Sequence, residues 1–409
     1  MGGTPSEVRG SISRASAVST LVTGGRVITP DGEVTGWVAI DDGRITAVGD
    51  GPAPAARSVV DAAGGWVVPG FVDIHCHGGG GASFTEGTAE AVSTAVDVHR
   101  RHGTTTLQAS LVSAAPDELV RQIGSLRPAV RSGLLAGIHL EGPFLAEGRC
   151  GAHDPAALCA PEPALVDRLL AEGGGTVRMV TLAPELPHAL PAVRRLVGAG
   201  VLAAVGHTDA TADQARAAVD AGARVATHLF NAMRPLHHRE PGPIAALLDD
   251  ERVVVELICD LVHLHPTVAR LAARHAGPRR TAAVTDAIGA AGAGDGEYVL
   301  GGLPVTVTGG VPLLPGGALA GSSLTMDRAF ANLVRGCGLT VEEAVRATST
   351  TPASLLGLDA AVGAVRPGLD ADLVVLDEEF TIRAVLAKGT RVPPAGTSDE
   401  APPVGHPSR

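Results

Sequence analysis

The chain is 409 residues long, 45% hydrophobic and 18% charged, with a formal net charge of −11. These proportions are typical of a globular protein that buries a sizeable core. The acidic balance argues against nucleic acid or an anionic membrane as the main partner, so an anionic small molecule would need a local basic patch.

The cysteines and the N-terminus indicate where the protein works. The cysteine count is odd and shows no CxxC spacing, which is typical of reduced thiols in the cytoplasm. The five residues are Cys76, Cys150, Cys159, Cys259 and Cys337. The N-terminal "MGGTPSEVRGSISRASAVS" lacks the apolar segment of a signal peptide. No run of 18 apolar residues occurs, so we expect a cytoplasmic protein without a membrane span.

The two ends of the chain share a β-type pattern inside flanking tails. Residues 1–18 and 393–409 are predicted to be disordered from their composition. Next to the first tail, short β-type runs are separated by the hairpin-turn sequences "TPDGEV" and "DDGR". Near the C-terminus, "ADLVVLDEEFTIRAVLAKGTRV" indicates two strands around an acidic turn. We therefore predict a small β-sandwich domain built from both chain ends, residues 19–66 and 363–392.

Residues 67–362 alternate eight times between strand and helix patterns. The strand candidates are "GWVVPGFVDIHCH", "TTTLQASLV", "LLAGIHLEGPF", "TVRMVTLAPEL", "VLAAVGHT", "ARVATHLFNAM", "RVVVELICDLVHLH" and "RRTAAVTDAIGA". Such near-continuous apolar strands, separated by amphipathic segments that close on glycine, favour a parallel sheet covered by helices. Eight units over about 300 residues predict an α/β fold with a (β/α)8 TIM-type barrel. A doubly wound open sheet is the alternative that this pattern leaves open.

One further segment interrupts the barrel pattern. After the eighth strand candidate, "EYVLGGLPVTVTGGVPLLPGGALAGSSL" predicts a β-hairpin insertion before the last helices.

Polar side chains collect where the predicted barrel strands end, which is where parallel barrels carry their functional groups. The residues concerned are His75, His77, Glu141, His207, His228, His263 and Asp286. His75 and His77 are two apart and face the same side of a strand. The glycines that follow, residues 78–81, allow the backbone to turn sharply and leave room at the barrel mouth.

Imidazole nitrogens and carboxylate oxygens at these positions predict a divalent metal centre. Zinc prefers such ligands, and iron(II) or manganese accepts them as well. Two interpretations of Asp286 in "AVTDAIGA" are open: it caps the following turn, or it acts as general base and then acid towards an activated water.

Several motifs in order resemble the N-acetylglucosamine-6-phosphate deacetylase family of the amidohydrolase superfamily. They are "PGFVDIHCHGGGG", "GIHLEGPF", "VGHTDAT", "THLFNAMRPLHHREPG", "HLHP", "AVTDA" and "LAGSSLTM". The similarity runs from about Val22 to Val392. "HxH" and "GAVRPGLDADLVVLD" mark only the superfamily, whereas "HLEGPF", "THLFNAM" and "REPG" are specific to the deacetylase branch.

The resemblance implies a metal-dependent hydrolysis of the acetamide of N-acetyl-D-glucosamine 6-phosphate to D-glucosamine 6-phosphate and acetate. It implies Glu141, His207 and His228 as the principal metal ligands, and His75 and His77 as ligands of a second metal. One or two divalent metals per subunit are expected, zinc first and iron or manganese as alternatives.

The resemblance also implies the roles of the remaining site residues. Asp286 matches the catalytic aspartate of the family. The residues implied to contact the sugar phosphate are His153, Asn231, Ala232, Arg239 and His263. Arg239 reaches across from a neighbouring subunit in the family, so a homodimer is expected.

Three features of this chain bear on its chemistry. Many members of the superfamily bridge two metals with a carbamylated lysine. In this chain Lys388 is the only lysine and lies far from any predicted barrel strand. We therefore expect Glu141 to be the bridge instead. Leu261 stands where the family commonly has glycine, so we expect it to reshape the loop that carries His263. Cys150, in the loop "AEGRCGAH", is interpreted as an incidental small residue, with a redox-sensitive or gating role as the alternative.

Three functions fit these residues. Besides the deacetylation above, a sibling amidohydrolase would deacetylate N-acetylgalactosamine 6-phosphate or another N-acetyl sugar. The third is a non-catalytic amidohydrolase-like scaffold that acts through its oligomer surfaces.

Overall fold

The computed structural model describes residues 17–393. The predicted disordered ends lie outside the described residues over 1–16 and 394–409, while Val18 begins the first strand. Within residues 17–393, no helix combines the length and the apolar character that crossing a membrane requires.

Five strands open the described chain: β1 (Val18–Thr29), β2 (Gly32–Asp41), β3 (Arg44–Gly49), β4 (Ala56–Asp61) and β5 (Trp66–Pro69). β1 and β2 pair in antiparallel fashion, as do β2 and β3. Asp42 and Gly43 between β2 and β3 both have positive φ, of 52° and 73°, as a type I′ hairpin turn requires. The two predicted turn sequences therefore join strands.

Eight parallel strands alternating with helices follow. In chain order the elements are β6 (Phe71–Cys76), the short β7 (Gly78–Gly79) and β8 (Ala82–Ser83), α1 (Ala89–Arg101), β9 (Thr104–Leu111), α2 (Pro116–Arg131), β10 (Gly137–Glu141), α3 (Pro163–Gly173), β11 (Val177–Leu182), α4 (Ala189–Gly198), β12 (Leu202–Val205), α5 (Ala212–Ala221), β13 (Val225–Ala226), α6 (Gly242–Asp249), β14 (Val254–Ile258), α7 (Pro266–Ala276) and β15 (Thr281–Val284). Their sheet has the order β6-β9-β10-β11-β12-β13-β14-β15, and every pairing is parallel.

Hydrogen bonds between β6 and the end of β15 close this sheet into a barrel. The Asp286 amide donates to the His75 carbonyl, and the His77 amide donates to the Ala287 carbonyl, both over 2.8 Å. Lower in the same seam, the buried carboxylate of Asp73 accepts from the Thr285 hydroxyl at 2.6 Å and from the Thr285 amide at 3.3 Å. The predicted (β/α)8 barrel is confirmed, and the open doubly wound sheet is excluded.

The chain then leaves the barrel for an insertion and returns. The insertion is a three-stranded antiparallel sheet of β16 (Gly296–Leu300), β17 (Leu303–Thr308) and β18 (Val311–Leu313), one strand more than the predicted hairpin. The short helices α8 (Met326–Ala331), α9 (Val341–Val345) and α10 (Thr351–Leu355) follow, with π-helical turns after α8 and α9. The last strands are β19 (Leu373–Leu376), β20 (Ile382–Ala387) and β21 (Thr390–Arg391).

Both chain ends build the second sheet, whose order is β21-β20-β19-β5-β1-β2-β3 with β4 paired to β1. β19 pairs with β5, so the two ends meet in the middle of the sheet. Its buried side chains, among them Val22, Val38, Ile40 and Leu373, form a core separate from that of the barrel. The exact division into domains at residues 66, 67, 362 and 363 stays a prediction.

Candidate metal centre and substrate pocket

The strand-end residues predicted from the sequence meet at the C-terminal mouth of the barrel. His75 and His77 come from the end of β6, and Glu141 is the last residue of β10. His207, His228 and Asp286 follow β12, β13 and β15. All six side chains are buried.

One carboxylate oxygen and two imidazoles form the first ligand group, which consists of Glu141, His207 and His228. The Nε2 atoms of His207 and His228 lie 3.1 and 2.9 Å from Glu141 Oε1, and 3.0 Å from each other. His207 Nδ1 faces the Arg149 carbonyl at 2.8 Å. Because a carbonyl only accepts, Nδ1 carries the proton and Nε2 directs a lone pair at the carboxylate.

The second ligand group consists of His75, His77, Glu141 and Asp286. The Nε2 atoms of the two histidines are 3.2 Å apart. His77 Nε2 lies 3.2 Å from Glu141 Oε2 and 3.1 Å from Asp286 Oδ1. Glu141 thus offers Oε1 to one group and Oε2 to the other.

Lone pairs that converge in a buried site need a positive charge between them. Burial pushes the pKa of His77 down, but the carboxylates of Asp286 and Glu141 outweigh burial and raise that pKa to about 9. Ligand atoms bound at 2.0–2.1 Å in a tetrahedral arrangement lie about 3.3 Å apart, close to the nitrogen separations of 3.0 and 3.2 Å. The donor set therefore fits a divalent metal, and the cluster is a site for one.

A pocket of about 360 Å³ opens above the cluster. Nine of the eleven predicted site residues line it: His77, Glu141, His153, His207, His228, Asn231, Ala232, His263 and Asp286. His75 lies beneath the pocket and is fully buried. Arg239 lies on an exposed loop, where its guanidinium contacts His238 Nε2 at 2.8 Å, and it does not line the pocket of its own chain.

Two histidines that line the pocket differ in how readily they take up a proton. His153 Nδ1 accepts from the Ser113 amide at 3.1 Å, and burial lowers the pKa of His153 to about 4, so a neutral ring carries its proton on Nε2. Burial also disfavours charge on His263, but Asp260, 2.7 Å from His263 Nδ1, outweighs it and raises the pKa of His263. A neutral His153 and a His263 that takes up a proton more readily therefore line the same pocket.

The backbone around the pocket adopts unusual conformations. φ is positive at His207 (47°), His228 (29°), Ala232 (50°) and Asp286 (49°), a region that residues other than glycine rarely occupy. Such conformations concentrate at functional sites, where the surrounding structure holds them. Leu261 also takes a positive φ of 67°, so the leucine adopts the backbone conformation that glycine favours, and His263 still reaches the pocket.

Several residues of the site were not predicted from the sequence. Arg149 lines the pocket and holds His207 through its carbonyl. Leu300 and Leu319, from the insertion and the segment after it, supply an apolar wall. Glu256 on β14 lies 3.1 Å from His75 Nδ1. A glutamate inside the apolar run "VVVELIC" was the signal that pointed to it, because charged residues are rarely fully buried.

Comparison with known proteins shows that the chain belongs to the amidohydrolase family, whose sequence model matches residues 66–392. A solved structure of a mutant N-acetyl-D-glucosamine-6-phosphate deacetylase from Mycobacterium smegmatis, in complex with N-acetyl-D-glucosamine-6-phosphate, is 48% identical with a TM-score of 0.89. The match covers 92% of this chain and all of that one.

Two curated relatives are also deacetylases of N-acetylated sugar phosphates. N-acetylglucosamine-6-phosphate deacetylase from Lysinibacillus sphaericus is 34% identical, over 86% of this chain and 92% of its own length. N-acetylgalactosamine-6-phosphate deacetylase from Escherichia coli O157:H7 is 36% identical, over 87% and 95%.

Proposed function

We propose that the protein hydrolyses the acetamide of N-acetyl-D-glucosamine 6-phosphate to D-glucosamine 6-phosphate and acetate, a step of amino-sugar catabolism in the cytoplasm. The observation that carries the proposal is the convergence of four imidazoles, Glu141 and Asp286 under one pocket in a chain of this family. The substrate bound in the structure of the Mycobacterium smegmatis relative supports this choice of sugar.

The metal assignment belongs to the same proposal. Glu141, His207 and His228 would hold one cation, and His75 with His77 a second, with Glu141 as the bridge because each of its oxygens faces one group. Zinc is the first choice for this donor set, with iron or manganese as alternatives. A bound divalent cation would polarise the amide carbonyl and make a water molecule more acidic.

Asp286 is the group that moves the proton. Burial pushes its pKa up, but the neighbouring His75 and His77 outweigh burial and hold it at about 2, so the carboxylate is ionised at neutral pH. It accepts a proton from the attacking water and delivers that proton to the amine nitrogen as the C–N bond breaks. His153 Nε2–H donates to the carbonyl oxygen as negative charge develops there.

The phosphate end of the substrate needs positive charge in an acidic protein. His263, whose pKa Asp260 raises against the effect of burial, lines the pocket together with Asn231 and Ala232, and it supplies this charge when it is protonated. Arg239 completes the phosphate site when it is supplied by the second subunit of a homodimer. Its exposed position outside its own pocket supports this exchange, and a guanidinium suits bidentate phosphate binding.

The test combines metal analysis of protein purified without chelator with an acetate-release assay. We expect one or two equivalents of metal, and a kcat/KM for N-acetylglucosamine 6-phosphate far above that for free N-acetylglucosamine. N-acetylgalactosamine 6-phosphate is the second candidate because of the Escherichia coli relative, and a higher kcat/KM for that epimer would replace the first proposal. A metal-free and inactive protein would instead support a non-catalytic scaffold.

A further inference from the structure

Glu256 is a carboxylate inside the barrel that the catalytic scheme above does not use. It lies in the middle of β14, is fully buried, and has the apolar Val255 and Leu257 on either side. Placing a charged group in such surroundings is costly unless it is compensated. Its contacts therefore have to explain why it is there.

A single oxygen of Glu256 makes two contacts, each to a ligand histidine. Oε2 lies 3.1 Å from His75 Nδ1 and also accepts from the backbone amide of His228 over 3.1 Å. Within residues 17–393, Oε1 has no hydrogen-bond partner, and the His75 ring is the only basic side chain within 4 Å of the carboxylate. The position of the carboxylate therefore depends on the His75 ring and the His228 amide.

The contact between Glu256 and His75 determines which of the two His75 ring nitrogens carries the proton. A carboxylate only accepts, so His75 Nδ1 donates to Glu256, and Nε2 is left with a lone pair directed at the second ligand group. A carboxylate behind a histidine fixes its tautomer and ring orientation and makes it a stronger metal ligand.

The contact with His228 holds a strained piece of backbone. His228 has a φ of 29°, and its Nε2 lies 2.9 Å from Glu141 Oε1 in the first ligand group. The amide that donates to Glu256 belongs to this same residue. One oxygen therefore fixes a ligand from each group.

We propose that Glu256 is a positioning residue that couples the first and second ligand groups at the barrel mouth. Because its Oε2 contacts both His75 and His228, cation binding at the second ligand group depends on the position of His228 in the first. The inference rests on the proposed metal centre but not on which sugar is the substrate.

The test uses the Glu256→Gln variant and Co²⁺ as the probe. The metal-free forms of wild type and variant are titrated with Co²⁺ against a competing chelator while the visible absorption of the bound ion is recorded. We expect wild type to bind two Co²⁺ ions. The variant should bind the ion at the second ligand group about 10- to 100-fold more weakly, with an altered Co²⁺ absorption spectrum. Glu172→Gln is the matched control, because it makes the same substitution in the Arg127 ion pair on the outer helices, and it should bind like wild type.

A double-mutant cycle keeps the test independent of general destabilisation. If Glu256 acts through His75, adding Glu256→Gln to a His75→Asn protein should weaken Co²⁺ binding far less than it does in wild type. Glu256→Asp, which keeps the charge, is the fallback if Glu256→Gln does not fold. Additive effects, unchanged Co²⁺ affinities in a folded variant, or a wild type that binds a single ion would each overturn the inference. The titration contains no sugar, so its result does not depend on whether N-acetylglucosamine 6-phosphate is the substrate.

Discussion

His99 gives a prediction that links a buried histidine to the pH dependence of stability. The side chain lies on α1, is fully buried, and donates from Nε2 to the Gly78 carbonyl over 2.9 Å. It thereby supports the glycine turn that follows His77, and a Cβ on Gly79 would lie 2.9 Å from its ring. We consider the replacement His99→Gln, whose amide can donate to the same carbonyl.

The magnitude follows from the shift in pKa. Burial is the largest cause, and it lowers the pKa of His99 from 6.5 to about 4. In the unfolded chain the ring takes up a proton below pH 6.5, whereas in the folded chain it does so only near pH 4, so stability falls as the pH falls between these values. From pH 7.5 to pH 5, the wild type should lose about 2 kcal/mol of unfolding free energy on account of His99.

The assay is urea unfolding of wild type and His99→Gln at several pH values between 7.5 and 5. Both proteins carry the same metal centre, so its pH dependence cancels in the difference between them. His275→Gln, at an exposed histidine, is the control and should show no such trend. A difference between wild type and His99→Gln that stays constant within about 0.5 kcal/mol, the usual effect of a surface substitution, would refute the reasoning.

Three further predictions concern the site and the layer below it. Asp286→Asn should retain metal but lower kcat for acetate release by about 10²- to 10⁴-fold, and near-normal turnover would contradict its role in proton transfer. His139→Leu removes contacts to the hydroxyls of Ser110 at 2.9 Å and Thr181 at 2.8 Å. It should therefore cost about 2 kcal/mol in urea unfolding, and a loss below 0.5 kcal/mol would argue against that network. Cys150→Ser should leave kcat/KM unchanged, because the thiol has only a weak 4.0 Å contact with the Gly151 carbonyl and does not line the pocket; a large loss would restore the gating interpretation.

The barrel was predictable because its signal is local. Each strand candidate is a short, continuous apolar run, and parallel strands covered by helices have that pattern. The closed barrel was predicted from the number of strand–helix units. The contacts that close it were not predictable, because Asp73 and Thr285 are 212 residues apart in the sequence and meet only in the fold. No local pattern indicates which buried carboxylate will face which strand. The third strand of the insertion, β18, is only three residues long and too short for alternation to reveal it.

The site also has a part that could be predicted from the sequence and a part that could not. The positions of His75, His77 and Asp286 at strand ends follow from the fold, because the carboxyl ends of parallel strands share one mouth. The partners behind those side chains do not follow, since they cross the interior between strands that are distant in sequence. Glu256 behind His75 is one example. Arg239 differs from Glu256, because the family resemblance implied that it acts from a neighbouring subunit. It lies outside the pocket of its own chain, and its exchange between subunits stays a prediction.

The sheet built from both chain ends has a consequence for biosynthesis. β5 pairs with β19 through Pro69 and Leu373, roughly 300 residues apart. At about 5–20 residues per second, a ribosome needs about 15–60 s between making these two strands. During that interval the nascent chain presents β5 with an open edge, which is a template for unwanted pairing with other chains. Until β19 is synthesised, this edge of β5 therefore stays exposed to mispairing.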